Sequence, residues 1–89
     1  MSNNIPGWYI SDKEIKKTFT FKDFAEALAF VNKVGAVAQS VDHHPNISLH
    51  GWNKVTLFLS THSEGRVTFK DHKLAEAIEK MNMESKIIT

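Results

Sequence analysis

Lys54-Val55-Thr56-Leu57-Phe58-Leu59-Ser60-Thr61 is the stretch from which the fold can be read. Val55, Leu57 and Leu59 alternate with Thr56, Phe58 and Ser60. That period of two belongs to a strand with one face in a core. His62, next in the chain, falls on the side opposite Val55, Leu57 and Leu59. Residues 47–51 form a shorter extended run just before it, and Ser63-Glu64-Gly65-Arg66 just after it reads as a turn.

Moving outward, Trp8-Tyr9-Ile10 is a short strand, and residues 14–19 place Ile15, Lys17 and Phe19 on one side of another. Thr20-Phe21-Lys22-Asp23 then has the form of a capping box, with the Thr hydroxyl as cap and Asp reaching back to the cap amide. Behind it Phe24, Leu28, Val31 and Val34 or Gly35 recur at helical spacing, predicting a helix to about Gln39. Thr68-Phe69-Lys70-Asp71 repeats the cap ahead of a last helix with Leu74, Ala75, Ile78 and Met81 as its apolar stripe, fraying near Met83. The repeat reads as one capping need met twice as readily as an internal duplication, because the flanking residues barely match. The order ββαββα predicts an α+β fold: a four-stranded antiparallel sheet with helices packed on one face. One domain spans 1–89, with residues 1–7 a loose arm carrying Pro6-Gly7 and residues 84–89 an unassigned tail.

The chain of 89 residues is long enough for one unstapled core. Eleven Lys+Arg against ten Asp+Glu leave a net charge of +1, and Lys16-Lys17 is the longest basic run. A direct nucleic-acid footprint is therefore not expected. The absence of cysteine excludes disulfides and thiolate metal sites and leans toward a reducing compartment. No run approaches a membrane span and no targeting segment is evident. The expectation is a cytoplasmic protein without a membrane partner.

The chemistry concentrates in His43-His44-Pro45, with His62 at the end of the strand that follows. Histidine both gives and takes a proton near neutral pH. A pair held in a loop by Pro45 suggests proton transfer or a metal site. Adjacent imidazoles diverge and nothing here has His-Glu-x-x-His spacing, which weights the reading toward proton transfer. A Ser–His–acid nucleophile is disfavoured because no elbow surrounds Ser60 or Ser63. His72 reads as solvated on the last helix, and His50 as a packing or surface residue.

His43-His44-Pro45, the aromatic Trp52 with Asn53-Lys54, a strand ending Ser60-Thr61-His62, and Asp71 together resemble the pterin-4a-carbinolamine dehydratases. The likeness extends to Gly7-Trp8, to Phe21-Lys22-Asp23-Phe24 and to Asp71…Lys73-Leu74-Ala75…Ile78-Glu79, covering about residues 7–82. Departures are Gln39 where an acid is frequent, Trp52 where Tyr is common, and Arg66 beside Gly65 where Gly is usual at 66. A leading helix found in some relatives is not expected ahead of Trp8.

The resemblance implies dehydration of 4a-hydroxytetrahydropterin to quinonoid dihydropterin, recycling the cofactor of the aromatic amino acid hydroxylases. Loss of the C4a hydroxyl needs a proton delivered and the N5 hydrogen removed, so no metal, cofactor or covalent intermediate is called for. Positioned acid–base groups are typically worth ~10²–10⁴-fold. On this reading His43 and His62 are the acid and base, and His44 binds and orients the pterin. Asp42 orients an imidazole, binds pterin, or is simply solvated. Pro45, Ser60, Thr61 and Ser63 are expected at the pterin's polar edge, with Gln39 and Asp71 as further candidates. Helix capping alone accounts for Asp71, and Trp8 and Trp52 read as packing residues. The expected partners are the pterin, a homodimer or homotetramer, and a functional link to a hydroxylase. The competing classes are a non-catalytic dimerisation or interaction module, with Phe24, Leu28 and Val31 partly at an interface, and a pterin-linked accessory protein.

Overall fold

The computed structural model describes Ile5 and residues 7–87, with side chains through Met83. Six elements follow in the expected order: β1 (Tyr9–Ile10), β2 (Ile15–Thr20), α1 (Phe24–Val41), β3 (Asn46–His50), β4 (Lys54–Leu59) and α2 (Phe69–Ile87). The strands form one antiparallel sheet in the order β1-β2-β4-β3. Opposite Val55, Leu57 and Leu59 on β4 stand Phe19, Lys17 and Ile15 of β2. Those three β4 residues are at most 1% exposed, as their alternation predicts. Both helices cover this same face. Ala27, Phe30 and Val34 of α1 and Leu74, Ala75 and Ile78 of α2 join the strand residues in one cluster. Phe30 anchors it, its ring centroid 4.6 Å from that of Phe19 and 4.9 Å from that of Phe21.

The two Thr-Phe-Lys-Asp tetrapeptides behave differently. At α2 the acid half of the box closes as read, the Asp71 carboxylate accepting from the Thr68 amide at 2.9 Å, while Thr68 Oγ1 accepts from the Lys70 amide at 3.3 Å, one residue short of the Asp71 amide. At α1 the cap is Asp23, whose Oδ1 accepts from the Glu26 amide at 2.9 Å, while Glu26 Oε1 accepts from the Lys22 amide at 3.2 Å. Thr20 cannot cap because it pairs with Lys54 as the last residue of β2. Cross-strand pairing keeps it extended, and the helix starts three residues later.

The buried stripe of α1 also departs from expectation. Ala27, Phe30, Val34 and Ala38 face the sheet, whereas Phe24 is 50% and Leu28 43% exposed. The helix carries apolar residues on two faces, so periodicity alone could not choose the face to bury. It runs past Gln39 to Val41 and ends on Asp42, which adopts a left-handed φ of 53°. The Asp42 amide donates to the Gln39 carbonyl and the His43 amide to the Ala38 carbonyl, at 3.3 and 3.1 Å. This C-terminal cap delivers His43 directly off the last turn. At the other end of the chain, α2 continues through Ile87 instead of fraying near Met83. Residues 1–4 and 6 of the expected arm and 88–89 of the expected tail lie outside the described residues. Ile5 itself is buried in the core, its carbonyl accepting from the Trp8 amide at 3.1 Å. Among the described residues no helix is long and apolar enough to cross a membrane.

Candidate active site

His43 and Asp71 meet where the end of α1 passes the start of α2. His43 Nε2 lies 2.7 Å from Asp71 Oδ1, and Asp71 is 0% exposed. The other carboxylate oxygen, Oδ2, accepts from Thr61 Oγ1 at 2.8 Å and from the Thr68 amide at 2.9 Å. Thr61 Oγ1 lies 2.7 Å from Thr68 Oγ1. Because Thr61 donates to the carboxylate, Thr68 donates to Thr61. Every buried side-chain polar atom among the described residues has a partner. As a carboxylate Asp71 can only accept, so the His43 hydrogen sits on Nε2 and Nδ1 carries the lone pair. Capping explains one of Asp71's three bonds; the other two, from the Thr61 hydroxyl and the imidazole, are ones local sequence does not reveal.

His44 is exposed, and its Nε2 lies 2.8 Å from Gln39 Oε1, one turn back on α1. The amide oxygen accepts from Nε2–H in the position where an acid was anticipated. Asp42 is exposed beside the pair, Pro45 half-buried and Ser60 half-buried. His62 and Ser63 are exposed in the turn closed by the Thr61–Arg66 bridge. Gly65, at φ +67°, makes that turn. His62 is therefore tied to His43 through the backbone of Thr61, whose hydroxyl shares Asp71. Thr61 departs from its expected role. It is 5% exposed, its hydroxyl is taken by Asp71 and Thr68, its amide donates to Arg66, and its carbonyl accepts from Glu64 and Gly65. It builds the site without facing a ligand.

Among the other candidates, Trp8 packs as expected, 8% exposed and with its indole N–H donating to Glu79 at 2.7 Å. Trp52 does not: it is 62% exposed at the β3–β4 turn, with a left-handed φ of 59°. His72 is half-buried where full solvation was expected. His50 is exposed, with Nε2 2.8 Å from Thr56 Oγ1 on the helix-free face of the sheet. Beside His43, a groove of about 560 Å³ opens between Val41 on one side and Phe69 and Leu74 on the other. Thr68 and this groove were missed from sequence; the repeat of the capping tetrapeptide was the available signal for Thr68.

The sequence model of the family described as pterin 4 alpha carbinolamine dehydratase matches residues 1–81. The chain belongs to the pterin-4a-carbinolamine dehydratase family. A Sulfolobus acidocaldarius protein provisionally named pterin-4-alpha-carbinolamine dehydratase is 48% identical over 77 residues, covering 86% of this chain and 84% of that one. A Prochlorococcus marinus protein of the same provisional name is 46% identical, covering 85% and 79%. The crystal structure of a transcriptional coactivator/pterin dehydratase from Brucella melitensis is similar with a TM-score of 0.76 at 35% identity, covering 84% of this chain and 81% of that one. A pterin dehydratase-like protein identified as a RuBisCO assembly factor in the alpha-carboxysome shares the fold, with a TM-score of 0.65 at 20% identity and coverage of 82% and 83%. In this dehydratase-family chain the sheet-and-two-helix fold serves to bring the loop after α1, the turn after β4 and the first turn of α2 together.

Proposed function

We propose that this chain dehydrates 4a-hydroxytetrahydropterins to quinonoid dihydropterins by histidine acid–base catalysis, recycling the cofactor of aromatic amino acid hydroxylases. The observation that carries this reading is the His43–Asp71 hydrogen bond of 2.7 Å onto a fully buried carboxylate. A carboxylate so placed orients the imidazole and stabilises the imidazolium that forms when Nδ1 takes a proton. In the proposed reaction His43 removes the N5 hydrogen and His62 protonates the C4a hydroxyl. The C4a–O bond breaks, a C4a=N5 double bond forms, and water leaves. His44, held by Gln39, grips the pterin, with Asp42, Pro45, Ser60 and Ser63 around its polar edge. The test is dehydration of chemically generated 4a-hydroxytetrahydropterin, followed at the quinonoid absorbance. Rates ~10²–10⁴-fold above background are expected for the wild type and lost in His43→Ala and His62→Ala. A wild-type rate equal to background refutes the activity.

A second reading, self-association through α1, is supported by the exposed Phe24 and Leu28 on its solvent face. Gly35 lies on this helix with open space where a Cβ would stand, which suits close approach of a second helix. We expect a homodimer or homotetramer by light scattering, reduced to monomer by Leu28→Lys. An unchanged mass for that variant counts against this face.

A further inference from the structure

We infer that the groove between the end of α1 and the start of α2 holds the C6 substituent of the pterin, and that Lys70 and Lys73 select substrates in which that substituent ends in an anion. This rests on the dehydratase reading for where the ring lies. The groove, about 560 Å³, is within the usual size of small-ligand sites. It begins at His43, and its flanks, Val41 and Phe69, are 52% and 69% exposed. Such open apolar surface beside an acid–base group suits a ligand whose uncharged part lies across it.

Charge of both signs lines the groove. Asp42 lines it next to His43, while Lys70 and Lys73 line it from α2. Lysines three residues apart share one helix face. Neither ammonium meets a carboxylate among the described residues, unlike Lys16, which meets Glu14, and Lys17, which meets Glu79. Like charges at this spacing, close to the positive end of a helix, are locally unfavourable, so helix stability does not account for them. The substrate carries complements to both charges and to His43. C4a is bonded to N5 and N5 to C6, so a group acting at N5 stands one ring position from the C6 substituent. The amidine edge of the ring, a hydrogen-bond donor, lies at the opposite end and suits Asp42. A carboxylate or phosphate at the end of the C6 substituent suits the two lysines.

The experiment measures binding of unreactive oxidised pterins to the full chain by fluorescence titration. The probes are 6-hydroxymethylpterin, its phosphate monoester, and pterin-6-carboxylate. Wild type is expected to bind one or both anionic probes about 3- to 30-fold more tightly than the neutral one, in keeping with two solvent-exposed charge pairs. The preference should shrink to about unity in the double variant Lys70→Ala, Lys73→Ala, and weaken at 0.5 M salt. Preference for the phosphate alone identifies a phosphate ester; preference for both anions identifies the charge as what is read. Both lysines are exposed, so the double variant should keep its circular dichroism and melting point. Equal affinity for all three probes in wild type, or an unchanged preference in the double variant, overturns the inference. Turnover of a neutral-side-chain substrate and of its phosphate monoester separates the two claims. Absence of turnover for both in wild type refutes the dehydratase reading while the affinities still decide the groove, and turnover without anion preference in the titrations refutes the groove alone.

Discussion

Asp71→Asn separates the two jobs of Asp71, because the bonds to its two oxygens differ in kind. Oδ2 accepts from the Thr68 amide and the Thr61 hydroxyl. The Thr68 N–H can only donate, so the oxygen of the new amide must take that side. Its NH₂ then faces His43 Nε2, where Oδ1 was. His43 must accept there, which moves its hydrogen to Nδ1 and removes the lone pair that would take the substrate's proton. Stability changes modestly. Three hydrogen bonds to a charged acceptor become neutral ones, each losing on the order of 1 kcal/mol, about 1–3 kcal/mol in all. At ~4–8 °C per kcal/mol for a domain of this size, the melting temperature falls but a stability of ~5 kcal/mol or more is not exhausted. Activity should fall much further, by ~10²–10⁴-fold in kcat/KM, the scale on which a wrong imidazole tautomer costs a catalytic base. The assays are quinonoid formation and thermal melting of the same preparation. A folded Asp71→Asn protein within about threefold of wild type would show that the carboxylate caps α2 and does nothing for catalysis. That outcome would remove the support for His43 as the base.

Gln39→Ala frees His44 from its 2.8 Å hydrogen bond, and is expected to raise KM several-fold while kcat holds; Gln39→Glu keeps an acceptor in place and should alter kcat/KM by less than about tenfold. In steady-state kinetics, a large gain from Gln39→Glu would mean that this chain is a weakened catalyst. Trp52→Asn should stabilise the protein by ~1 kcal/mol, read by urea unfolding, because an exposed bulky residue no longer sits in left-handed backbone. Asp23→Ala should cost ~1 kcal/mol through loss of the α1 cap. Thr20→Ala, at the end of β2, should lose no cap energy, and comparable losses in the two melts would contradict the position of that cap.

Most of the fold was legible because strand alternation is a local property. Val55, Leu57 and Leu59 had to share a face, and that face had to be covered, whatever lay around it. Helix faces were less legible. α1 has apolar side chains both toward and away from the sheet, and the helical spacing of Phe24, Leu28, Val31 and Val34 does not say which of them the sheet covers. The candidate site was legible as a set of residue types, His43, His44 and His62, but not as a set of contacts, and Asp71 read first as a helix cap. Thr61 illustrates the limit. Its polar side chain at a strand end fits a ligand contact or a scaffold equally well, and only its burial beside Asp71 decides for scaffold.

The two Thr-Phe-Lys-Asp segments mark where determination by sequence ends. By itself the sequence determined that a helix begins near each of them, because capping needs only polar groups within one turn. Tertiary structure decided the rest. Asp23 lies in solvent at the start of α1 and accepts from one backbone amide, while Asp71, in the same local sequence, is enclosed by the end of β4 and the loop after α1. Those neighbours arrive only when the sheet closes and both helices settle on one face. Burial then leaves the carboxylate three donors to satisfy it, and one of them is His43.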